Sequence, residues 1–150
     1  MSALRAVYRY WISILALAVV VQIGLAGYGA FYATEKVHDS TINEDTFEDG
    51  FGAHIGFGYL IFLATVLAVI LALLARPGKR PVLMTVGLLA LVMVQIVLAW
   101  IGGDTPAVGA LHPINAFIIL GLVGTLAGRQ WREKKMGMGS HAAPAPPPAA

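Results

Sequence analysis

With four histidines and no cysteine in 150 residues, the chain has few ways to hold a metal. Lacking thiolates, it can form neither disulfides nor iron-sulfur or thiolate-zinc sites, and imidazole is the one strong nitrogen ligand left. His54 and His112 lie inside apolar runs, FGAHIGFGYLIF and GALHPINAFIIL. A histidine at membrane depth is costly unless something uses its ring. Two histidines with no carboxylate in the runs argue against zinc hydrolysis, which usually wants a third protein ligand and an open position. No serine-histidine-acid set or phosphate loop is visible. Axial ligation of haem needs two nitrogens and a flat apolar slot, and the pair predicts a bis-histidine haem b with His54 and His112 on opposite sides of the iron.

Four more residues belong to this candidate site. Gln22 is a polar group deep in VVVQIGLAGYG, and Gln95 occupies the same place in VQIVLAWIG. Gly58 lies one turn beyond His54 on the same helix face. Asn115 stands three residues after His112. Three of them have a structural alternative: an interhelical hydrogen bond for Gln22 and Asn115, and close helix packing for Gly58, as for Gly24, Gly27, Gly29, Gly52 and Gly56. His38 beside Asp39 reads as solvated in an acidic loop. Met136, Met138 and His141 are too loosely spaced to predict a copper site.

These residues need four helices to position them. The chain is 58% hydrophobic and 12% charged, with a mean hydropathy of +0.77, which places it in a lipid bilayer. Apolar stretches over residues 7–33, 47–75, 82–102 and 106–131 can each cross a hydrocarbon core that takes about 20 helical residues. The first is longer than a signal-peptide core and is expected to stay as a span. Thr46 is the expected N-cap of the second helix, and Thr105 followed by Pro106 opens the fourth. Pro113 is expected to kink or restart that helix. Residues 1–135 thus form one all-α membrane domain, and residues 136–150, rich in Gly, Pro and Ala, read as a disordered tail.

Charge orients the bundle. Arg5, Arg9, Arg76, Lys79, Arg80, Arg129, Arg132, Lys134 and Lys135 fall in the N-terminus, second connection and C-terminus, whereas Glu35, Asp39, Glu44, Asp45, Glu48, Asp49 and Asp104 fall in the first and third connections. The positive-inside rule then predicts both termini in the cytoplasm and an inner (plasma) membrane location. VQIGLAGYG aligns without a gap to VQIVLAWIG, and each is followed by a histidine-bearing helix, GAH in one half and GALH in the other. The expected fold is an up-down-up-down four-helix bundle made of two repeated hairpins, with the histidine helices diagonally opposite. His54 lies 22 residues before Arg76 but His112 only 17 before Arg129, so the rings reach one level only if the fourth helix continues to Lys134. Besides the bilayer, the expected partners are a redox partner or a larger membrane complex, or a second copy of the chain; nothing points to nucleic acid. A cofactor-free accessory subunit and a haem-modifying enzyme are the competing readings.

VQIGLAGYG, His54 at the head of the second helix, and LVMVQIVLAWIGGDTPAVGALHPINAFIIL together resemble one half of the heme A synthase family. That family is built from two four-helix halves, with histidines on the second and fourth helices of each half. The resemblance spans most of residues 10–130 and implies a b-type haem between His54 and His112 near the outer face. The chain departs from the family in having one half, in Ile55 where an arginine typically follows the first histidine, in lacking a cysteine pair, and in Phe51 where an acid is expected. The resemblance therefore implies a haem-binding relative rather than the haem-hydroxylating chemistry.

Overall fold

The computed structural model describes residues 3–37 and 43–139. Described residues form α1 (Ala3–Val37), α2 (Glu44–Ala75), α3 (Lys79–Asp104), a single turn α4 (Pro106–Gly109) and α5 (Leu111–Gly139). Four segments are long and apolar enough to cross a membrane: Ala3–Val37, Glu44–Ala75, Lys79–Asp104 and Pro106–Met136. The helices overrun the expected spans at several ends. In particular, α5 runs to Gly139, past the boundary expected for the tail; the remainder of the tail with His141, and the loop with His38 and Asp39, lie outside the described residues.

The helix ends follow local chemistry. Asn43, not Thr46, caps α2: its side chain accepts from the Thr46 backbone N–H, and the Thr46 hydroxyl faces the Asn43 N–H in return, so the two make a reciprocal capping box. Thr46 was the expected cap because both residue types suit the position, and only the extended backbone at Asn43 separates them. The α2 C-terminus stops at Arg76, which adopts a left-handed backbone. The Arg5 guanidinium then donates to the carbonyls of Ala75 and Arg76, at 3.3 and 3.0 Å, satisfying groups that a helix end leaves open. Pro106 takes the first position after Thr105, although the Thr105 side chain makes no capping bond. The break in the fourth span falls at Ala110, three residues before Pro113. Pro113 thereby sits in the first turn of α5, where its missing N–H costs no intrahelical bond.

Each helix packs on its neighbours in a closed ring. α1 contacts α2 and α5, and α3 contacts α2, α4 and α5, while the diagonals α1–α3 and α2–α5 stay apart. Near the termini the bundle is solid. Tyr8, Ile12, Leu88, Val123 and Leu126 are almost wholly buried, and polar groups inside are tied down. Tyr8 and Thr85 share a 2.6 Å hydroxyl bond, the Trp11 indole donates to the Ala64 carbonyl, and the Trp131 indole donates to Ser13 Oγ. Arg9 is 4% exposed, with its guanidinium 5.0 Å from the Trp131 ring. The outward faces are largely apolar, with Leu63, Leu74, Phe117 and Trp100 exposed, as suits helices able to cross a membrane.

Candidate functional site

Towards the end away from the termini the bundle is hollow. Val19, Ile61, Val92 and Ile119, one from each long helix, are core residues that also floor a cavity of about 300 Å³. His54 and His112 line it, their ring centroids 6.2 Å apart and their planes inclined at 62°. The rings meet across the diagonal between two helices whose backbones stay apart. They share one level because the fourth span continues past Lys134, the extension that the spacing to Arg76 and Arg129 demands.

The same device aims both rings. His54 Nδ1 lies 3.1 Å from the Gln22 carbonyl oxygen, and His112 Nδ1 lies 3.1 Å from that of Gln95. A carbonyl only accepts, so each Nδ1 carries the proton and each Nε2 keeps its lone pair. No side chain or backbone group among the described residues hydrogen-bonds either Nε2. This is the arrangement in which a histidine serves as a metal ligand: one nitrogen tied to a helix carbonyl, the other free. A metal ion bonded to one nitrogen of each ring on a straight line, at about 2.0 Å, holds the centroids about 6.3 Å apart, close to the separation found. No group of three or more histidines and acids is present among the described residues, so the donor set is two nitrogens, suited to a metal whose other ligands come with a cofactor.

The remaining expected residues divide. Gln22, Gln95 and Gly58 line the cavity. Gln22 also makes the interhelical bond that was its structural alternative, Nε2 to the His54 carbonyl at 2.8 Å. Asn115 does not line the cavity; its amide donates to Gln95 Oε1 at 2.7 Å and to the Leu91 carbonyl at 3.0 Å, fixing the residue that holds His112. The matching oxygen of the first half, Gln22 Oε1, is buried without a partner. Gly24, Gly52 and Gly56, by contrast, neither pack a helix nor open a slot, since they face outward with nothing within 4 Å of an added Cβ. Gly29 is a packing glycine, where a Cβ would stand 2.6 Å from the Phe51 ring. Sequence reasoning passed over the apolar lining, Tyr59 and Phe117 among it; Phe51 lies behind His54, outside the lining, its ring at a steep angle to the imidazole with centroids 6.3 Å apart.

The lining has an internal twofold relation. On α1 and α3, Val19, Gln22, Ile23 and Ala26 match Val92, Gln95, Ile96 and Ala99; on α2 and α5, His54 and Ile61 match His112 and Ile119. The other lining residues pair as Ile55 with Pro113, Gly58 with Ala116 and Tyr59 with Phe117, so every residue of the wall has a counterpart in the other hairpin. The repeat legible in the sequence is therefore the symmetry of the cavity.

Residues 22–103, over half of the chain, match the model of a family of unknown function (DUF6220). The chain belongs to that family. The matched segment holds Gln22, His54, Gly58 and Gln95 and ends before His112. No curated protein and no solved structure matches the chain.

Proposed function

We propose that this member of the DUF6220 family is a membrane-bound b-type cytochrome, in which His54 and His112 hold one haem near the membrane face away from the termini and the cofactor serves electron transfer. The observation that carries the reading is the pair of imidazoles facing each other at 6.2 Å across an apolar cavity, each with Nδ1 tied to a glutamine carbonyl. The distance suits two axial bonds to one metal, and the aliphatic walls suit a flat apolar ring. When bound, haem supplies one-electron chemistry between its ferrous and ferric states.

The chain's own residues supply the rest. The carbonyls of Gln22 and Gln95 set the tautomer and orientation of the rings, as an outer partner does in metal sites. The four floor residues, Val19, Ile61, Val92 and Ile119, join the cavity to the packed core near the termini. His54 and His112 together would hold the iron of a bound haem with no protein-side vacancy left for oxygen chemistry. Phe51, where an acid is expected in the heme A synthase family, presents an apolar ring edge to His54, which favours an electron carrier over a haem-modifying enzyme. The charge distribution supports termini in the cytoplasm of an inner membrane, with the histidine end outside.

Titration of haem into full-length apoprotein in detergent micelles tests the reading. It predicts saturation at one haem per chain, with the pigment extracted intact and unmodified by acid acetone. Haem uptake with no saturation, or no more than by empty micelles, contradicts it.

A further inference from the structure

The cavity is built from two equivalent halves, and this constrains any ligand that is not itself symmetric. An axis along the bundle and through the midpoint of the two rings exchanges α1 with α3 and α2 with α5. A half-turn about it swaps His54 for His112 and returns the wall to itself, except at Ile55/Pro113, Gly58/Ala116 and Tyr59/Phe117. Each unlike pair is similar in bulk, and the last differs by one hydroxyl. Haem b has no matching twofold symmetry, because its vinyl and methyl groups are interchanged when the ring is turned over about the line that bisects its propionates.

We infer that the site does not select one face of the haem, and that the protein carries its cofactor in two orientations related by that half-turn. The inference rests on the haem reading above. The side chains that distinguish the orientations differ by about a methyl group or a hydroxyl, so the two populations lie within about fourfold of each other, the factor that one buried methyl group is worth. Tyr59 is the polar member of the unlike pairs. Tyr59→Phe makes that pair identical and draws the populations closer to equality.

The proton NMR spectrum of the ferric, haem-loaded full-length protein in micelles reads this directly, since the unpaired electron shifts each haem methyl signal out of the protein envelope. Two sets of shifted methyl signals are expected, with intensities within about fourfold. They should collapse to one set when the protein is loaded with a haem whose vinyls and methyls are placed symmetrically about the propionate axis. One set with haem b itself, or a second set below a tenth of the first, overturns the inference while leaving the cytochrome reading intact. Failure to form a six-coordinate low-spin species with either haem overturns the reading and the inference with it.

Discussion

The behaviour of His54 and His112 is decided by atoms one bond further out. Because Nδ1 of each donates to a carbonyl that is part of a packed helix, the ring cannot turn over without breaking that half-buried bond. Either nitrogen of an exposed histidine could bind; here the choice is made before a ligand arrives. His54→Ala and His112→Ala should each convert the six-coordinate spectrum to a five-coordinate one, with imidazole added to the buffer restoring it; an unchanged spectrum in either variant would refute the assignment. Asn115 acts at one remove, through Gln95. Asn115→Leu should lower stability in micelles by about 0.6 to 1.7 kcal/mol, the range for interhelical hydrogen bonds in membranes, measured by reversible denaturation. The two histidines and two glutamines are legible in the sequence because polar side chains in apolar runs stand out. The unequal fates of Gln22 Oε1 and Gln95 Oε1 are not, because they turn on Asn115 having no counterpart in the first half, where Phe57 stands three residues after His54.

Helix elements meet most closely at matching points of the two hairpins. Gly29 lies against Gly50 and Phe51, and Gly102 lies against Gly109, where an added Cβ would come within 2.6 Å of the Gly109 Cα. Backbone cannot yield as a side-chain tip can, so Gly102→Ala must push α4 away from α3. The expected cost is about 1 to 3 kcal/mol, read as a lowered melting temperature, whereas Gly24→Ala, facing open space, should stay within about 0.5 kcal/mol of wild type. Equal effects of the two would contradict the packing described. Spans and the repeat are apparent from hydrophobic runs and matched motifs, yet glycines that pack and glycines that merely face outward are identical in sequence. What separates them is the rotation of each helix about its axis, and apolar residues on every side leave that rotation unmarked. The break at Ala110 was hidden for a related reason: Pro113 signals irregularity nearby but not on which side it falls.

At the scale of the molecule, a solid half near the termini carries a hollow half that holds the site. The ring of contacts keeps the backbones of diagonal helices apart; side chains bridge them, Tyr8 to Thr85 in the solid half and the two imidazoles in the hollow one. Such a division predicts that the cofactor can leave without the bundle unfolding. Acidification should release haem, because protonated imidazole cannot ligate and the bound form requires neutral rings. Binding is present at neutral pH and lost as pH falls, while the helical circular dichroism persists; simultaneous loss of both would show that the fold depends on the cofactor. The most direct test of two rings meeting at one metal is the dithionite-reduced minus oxidised absorption spectrum of the full-length protein purified from haem-replete cells. A sharp α-band with an intense Soret band, as six-coordinate low-spin haem b gives, is the predicted result. A colourless, correctly folded protein, or a pigment whose spectrum is that of a five-coordinate haem, would contradict it.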